Sequence, residues 1–144
     1  MRPFVVTRDC AHPPVAAWSR ITDWSRHARW VPLTTIEVVT PLPNGVGTVF
    51  NARTAVGPLG FDDPMEIVEW QPPSGDSPGR CRVEKRGTVM HGWAELAVQP
   101  TGAGSRATWT GAITPARLPA FTDPVSRLAS TLLFGRLLRR LLED

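Results

Sequence analysis

The chain has 144 residues, 42% of them hydrophobic, which suits one domain with a buried core and leaves little room for a second. Its net charge of +3 comes from 16 basic and 13 acidic residues; the bases are almost all arginine and never run longer than two, too diffuse a pattern for a nucleic-acid partner. No segment approaches 18 apolar residues, and MRPFVVTRDC has no long apolar run behind its arginine, so the expectation is a cytoplasmic protein with no stable membrane insertion.

In chain order, Pro3 to Asp9 alternates weakly as a strand, which Ala11-His12-Pro13-Pro14 ends. Val15 to Thr22 places Val15, Trp18, Ile21 and Thr22 on one helical face, with the proline pair at its first turn. Asp23 caps a second short helix, Trp24 to Trp30, stopped by Pro32. From Leu33 the apolar period becomes two, and turn residues from Pro41 to Gly45 close that strand. Val46 to Val56 is the next strand, Gly57 to Gly60 a turn, and Phe61 to Trp70 its partner, where Pro64 signals a late start or a bulge. After the loop Gln71 to Pro78 come Arg80 to Thr88, Val89 to Gln99 and Ser105 to Thr114, making about seven strands.

Thr122 to Leu142 is the one long helix, with Asp123 as N-cap and Pro124 at the first helical position. At about 100° per residue, Val125, Leu128, Ala129, Leu132 and Leu133 share one arc, and Phe134, Leu137, Leu138, Leu141 and Leu142 share the opposite one. The apolar face therefore changes sides near Gly135. Either the helix bends there and its tail packs on the domain, or the tail meets something else: a second copy, giving a homodimer through Phe134, Leu137, Leu138 and Leu141, or anionic lipid, for which some ten residues make a weak anchor. Short strands, two small helices and a long terminal helix make the fold class α+β, an antiparallel sheet wrapped on a helix, in one domain over residues 1–144.

Ala11, Pro14, Val15, Trp18, Asp23, Trp30 and Pro32 match the opening of a known pattern. Gly45-Val46-Gly47-Thr48, Glu69-Trp70-Gln71-Pro72-Pro73 and the run Gly104 to Thr110 match its third-strand entry, fourth-strand exit and seventh strand. With these motifs in this order, the chain resembles the helix-grip fold of the START-like (SRPBCC) superfamily, which includes polyketide cyclases/dehydrases and lipid-transfer proteins. The resemblance implies a hydrophobic or amphipathic ligand held between a concave sheet and the last helix. It implies no reaction, because the superfamily shares no catalytic motif.

Strand parity then selects a ligand-cavity set: Ile36, Phe50, Met65, Ile67, Val83, Leu96 and Trp109 on the sheet, roofed by Phe121, Val125, Leu128 and Leu132. Three ionisable side chains are catalytic candidates. Lys85, the only lysine beside 15 arginines, shares the inward parity of Cys81 and Val83, although a place near a strand end also lets it reach solvent. His91 lies on the outward parity unless a bulge at Gly87 or Gly92 turns it, and Arg53 faces inward only if its strand slips by one residue. Asp62, Asp63 and Glu66 read as a solvated edge, Cys10 and Cys81 as two reduced thiols, and nothing points to a metal or a cofactor. The function expected is binding or carriage of a hydrophobic small molecule such as a lipid, isoprenoid or polyketide-like aromatic. A metal-free cyclase/dehydratase and a protein-interaction module using the last helix are the alternatives.

Overall fold

A computed structural model describes residues 2–143; Met1 and Asp144, the two ends of the expected 1–144 domain, lie outside the described residues. Its elements run β1 (Phe4–Cys10), α1 (Pro14–Ile21), α2 (Trp24–His27) continued by a 3-10 turn (Ala28–Trp30), β2 (Thr34–Val38), β3 (Val49–Val56), β4 (Leu59–Gln71), β5 (Gly79–Lys85), β6 (Met90–Thr101), β7 (Gly104–Pro115) and α3 (Asp123–Leu142). Among the described residues the seven strands form one sheet in the order β1-β7-β6-β5-β4-β3-β2, antiparallel throughout. The short helices sit between β1 and β2, and α3 returns over β1 and β7. This is the expected α+β helix-grip arrangement.

Boundaries differ from the sequence reading where the backbone makes local bonds of its own. β3 starts at Val49 and not Val46, because Gly47 takes φ +93° and Thr48 closes a turn on Gly45 through both its backbone and its hydroxyl. Pro64 neither delays β4 nor bulges it. In an antiparallel strand the N–H and C=O of one residue point to the same neighbour, and the Pro64 carbonyl accepts from Arg86 N at 2.8 Å on the β5 side. Strand pairing ends there at Met65–Lys85, so the missing N–H removes no ladder bond; the irregularity falls instead between Ile67 and Glu69. The helix cap shifts by one residue: Thr122 is the N-cap of α3, and Pro124 stands within its first turn.

The concave face carries Phe50, Ile67, Cys81, Val83, Leu96, Val98, Ala107, Trp109 and Ile113, all buried. Side chains alternate because the strands are wet on the other face, where Arg80, Arg82 and Glu95 pair at 2.9 Å and Arg82 also covers the Trp93 ring; the shift in β4 between Ile67 and Glu69 changes its parity there. Trp18 and Ile21 of α1 and Trp24 of α2 close one end of the core. Cys10 and Cys81 are free thiols.

α3 settles the question of its two apolar arcs. It runs unbroken from Asp123 to Leu142, so a single arc faces inward along its length. Leu137, Leu138, Leu141 and Leu142 are buried, and the Phe134 ring stacks on Phe4 with centroids 5.3 Å apart. Gly135 marks the crossing over β1, where a Cβ would lie 3.1 Å from Arg8 Nη2 and 3.5 Å from Val6 Cγ1. Phe134, Leu137, Leu138 and Leu141 therefore fill the domain's own core, and the expected homodimer stripe is not on a surface. On the same inward arc the first half of α3 offers the polar Ser130, while Phe121, Val125, Leu128 and Leu132 are exposed at 82%, 70%, 59% and 67%. The expected roof is thereby reversed. The C-terminal leucine set packs against Phe4, Val6, Trp18 and Ile21, and in a straight helix the first-half set then turns outward. His12 donates to the Leu142 carbonyl at 3.2 Å and Arg20 to that of Glu143 at 2.9 Å, pinning the end of α3 to the α1 side of the fold.

Candidate functional site

Between the concave sheet and the second half of α3 lies a cavity of about 210 Å³, open at one side. Six of the residues expected to line it do so: Ile36, Phe50, Met65, Val83, Leu96 and Trp109. Ile67 is fully buried but sits in the packing beyond that wall. The roof comes from Leu133, Phe134 and Leu137 and not from Phe121, Val125, Leu128 or Leu132, which face solvent. Trp24, His27 and Asp63 also line the wall; the sequence reading gave the first two no place in the cavity and put Asp63 on a solvated edge.

Part of the wall is an aromatic cluster. Trp24 stacks on Phe50 with centroids 4.4 Å apart, His27 lies between the two indoles at 5.4 Å from Trp24 and 5.5 Å from Trp109, and Trp109 meets Phe134 at 4.8 Å. Trp24 and His27 are three apart on a single turn of helix, the spacing that brings two side chains to one face. The His27 Nε2 is 2.8 Å from the Ile21 carbonyl. A carbonyl can only accept, so Nε2 carries the proton and Nδ1 is left as an acceptor. Burial pushes the His27 pKa down to about 4, and the bond to Ile21 and the charge of Asp23 offset this only in part. The ring is neutral at pH 7.

The polar feature of the cavity is an ion pair. Lys85 Nζ bonds Asp63 Oδ2 at 2.5 Å, with side chains 9% and 12% exposed, and also lies 3.6 Å from Met65 Sδ. Asp63 shares the inward parity of Met65 and Ile67, and that parity was its signal in the sequence. Reading Asp62, Asp63 and Glu66 together as a solvated edge fails for Asp63 alone, because alternation separates it from the other two. Asp62 pairs on the outer face with Arg53 at 3.2 Å, and hydrogen bonds from Asn51 and Arg53 hold its carboxyl below the usual range. Arg53 is therefore outside the cavity, as the unslipped register of β3 requires. His91 is exposed opposite Thr114 on β6. Of the three catalytic candidates, only Lys85 reaches the cavity. Burial pushes the Cys81 thiol up to about 12, which keeps it protonated and a poor nucleophile.

Three residues of the cavity wall each carry a fully buried polar atom with no hydrogen-bond partner among the described residues: Trp24 Nε1, Trp109 Nε1 and Asp63 Oδ1. Each costs on the order of 1–3 kcal/mol if left unmet.

No described helix is long and apolar enough to cross a membrane. The chain shares its fold with TTHA0849 from Thermus thermophilus, at 17% identity and a TM-score of 0.71 over 96% of this chain and 93% of that one. It is also similar to the Polyketide_cyc-like protein Cgl2372 from Corynebacterium glutamicum, at 15% identity and a TM-score of 0.61 over 98% and 89%. The human StarD13 lipid transfer and protein localization domain aligns at 13% identity and a TM-score of 0.66 over 97% and 75%. Comparison with curated proteins finds no match. The family model for polyketide cyclase / dehydrase and lipid transport proteins matches residues 1–144, and with a START-like sheet gripping its last helix around a cavity, this chain belongs to that family.

Proposed function

We propose that the chain, as one START-like domain over 1–144, binds a small apolar molecule in the cavity between the sheet and the second half of α3. The observation that carries this reading is an interior space of about 210 Å³ walled by Ile36, Phe50, Met65, Val83, Leu96 and Trp109 with few polar groups among them. An apolar cavity of about 150 Å³ takes up benzene, so this one encloses a ring compound or a short chain; a two-chain lipid would have to protrude through the mouth. Membership of a family that covers both cyclases and lipid transport supports the same reading without choosing between carriage and reaction.

Native mass spectrometry of the protein purified from cells, under gentle and then denaturing spray, tests it. Wild type should release a small molecule that the cavity-filling variant Ala94→Phe does not retain; Ala94 lies on β6 in the cavity wall. Equal ligand loads on the two proteins would place the ligand elsewhere, and a bare mass that persists through a panel of aromatic and isoprenoid compounds would end the proposal.

Cyclase or dehydratase chemistry is the second reading, and the Lys85–Asp63 pair inside the cavity favours it. Turnover of whichever compound is retained, lost in Lys85→Met while binding persists, would support it.

A further inference from the structure

The first half of α3 presents a face that the domain's own core does not cover. At about 100° per residue, Leu128, Leu132, Val125, Ala129 and Leu133 span about 140° of the helix, and all of them are exposed. Leu118 and Phe121, in the connection from β7, add two more exposed apolar side chains just before it. A soluble monomer rarely leaves so many large apolar groups together, and such a patch marks a surface of interaction.

The charges beside this face are of one sign. From Ala116 to Leu142 the chain has five arginines and a single acid, Asp123, which the same angular arithmetic puts on the inward side with Ser130 and Leu137. Arg136 and Arg139 continue the outward arc beyond Leu132, Arg117 directly precedes Leu118, and Arg127 lines a groove with Arg2, Val5 and Leu128 on the β1 side. Arg139 is spoken for by Glu143 at 3.9 Å, but Arg2, Arg117, Arg127 and Arg136 have no acidic partner among the described residues. The face therefore calls for something both apolar and negative.

The width of the arc and the sign of the charge choose among occupants. A second copy of the chain would set these arginines against their own counterparts. A single partner helix needs only an a/d seam, narrower than this arc. A bilayer that contains anionic lipid accepts a broad apolar face below its headgroups and guanidinium groups among them. We propose that the first half of α3 docks the protein on an anionic lipid surface, with Phe121, Val125, Leu128 and Leu132 entering the interface and Arg117, Arg127 and Arg136 meeting headgroup phosphates. The contact lies on the bilayer and does not span it, in keeping with described helices too short or too polar to cross. It goes beyond the cavity reading and does not depend on what the cavity holds.

Co-sedimentation of the full chain with lipid vesicles tests this, comparing phosphatidylcholine alone with phosphatidylcholine carrying about one-third phosphatidylserine. Wild type should bind the anionic vesicles at least about tenfold more tightly than the neutral ones, and raised salt should remove most of that difference. Phe121→Ser combined with Leu132→Ser changes two exposed sites and leaves the core alone; it should weaken binding to the anionic vesicles about tenfold or more. Arg117→Gln combined with Arg136→Gln should reduce the preference for anionic over neutral vesicles. Val46→Ser is the control: that residue is 70% exposed but lies in the β2–β3 connection, where Asn44 donates to the Thr22 carbonyl beyond α1, and its replacement should change nothing. Equal binding to the two kinds of vesicle, or the same loss in Val46→Ser as in the α3 variant, would overturn the proposal. A monomer that binds neither vesicle would also overturn it, as would a dimer in sedimentation equilibrium that the Phe121 and Leu132 substitutions dissolve, since the face would then belong to a second copy.

Discussion

Burial of His27 makes the stability of the fold depend on pH, and the sign of that dependence follows from its surroundings. Held between Trp24 and Trp109 and donating from Nε2 to the Ile21 carbonyl, it titrates near 4 in the folded protein, against an ordinary value of 6.5. Between those values the unfolded chain binds a proton that the folded one does not, so stability falls as pH is lowered. The full contribution is present above 6.5, and its loss is complete below about 4, where it amounts to about 3 kcal/mol at 1.36 kcal/mol per pH unit. Over the narrower interval from pH 7 to 5.5, protonation of the unfolded imidazole rises to about ten to one, and the loss is about 1 kcal/mol, or about 2–4 °C in Tm for a chain of this size. Stopping at pH 5.5 stays above the range in which carboxylates titrate. Urea unfolding at the two pH values measures the slope. His27→Gln keeps an N–H for the Ile21 carbonyl but has no titrating group, and should flatten it. A wild-type protein equally stable at both pH values, or a His27→Gln variant with the same slope as wild type, would refute the burial argument.

The orientation of α3 is tested by two leucines. Leu138→Ala, at a position with no exposure, should cost about 3–5 kcal/mol, whereas Leu132→Ala, 67% exposed, should change stability by less than about 0.5 kcal/mol; equal costs in chemical denaturation would put the wrong arc in the core. Gly92 should not tolerate a side chain. It sits at φ +132°, and an added Cβ would overlap the Ala112 carbonyl oxygen on β7, so Gly92→Ala should lower Tm by several degrees or prevent folding, and an unchanged Tm would contradict the close β6–β7 approach.

The order of elements and the inward parity of the strands were legible in the chain because they depend on local physics. A strand wet on one face must alternate, so Ile36, Phe50, Met65, Val83, Leu96 and Trp109 could be assigned to one side from spacing alone. Lys85 shares that parity, but its place near a strand end pointed equally to solvent. Asp63 obeys it too, but its place between Asp62 and Glu66 in an acidic run obscured its parity. His27 carried a weaker signal, since one turn of helix gives no sustained periodicity.

What the chain alone left open was every choice between two locally equivalent surfaces. The two apolar arcs of α3 are each good helix faces, and nothing within the 20 residues of that helix ranks them. The ranking comes from Phe4, Val6, Trp18 and Ile21, near the other end of the chain, whose combined shape accepts Phe134, Leu137, Leu138 and Leu141 and leaves Val125, Leu128 and Leu132 outside. The same applies to the site. That Lys85 would point inward was a matter of alternation; that it would meet Asp63 was decided by the β4–β5 register beside Met65. Burial is a property of the assembled sheet and helix, and so the pairing of charges and the orphaning of Trp24 Nε1, Trp109 Nε1 and Asp63 Oδ1 came into being only with the tertiary structure.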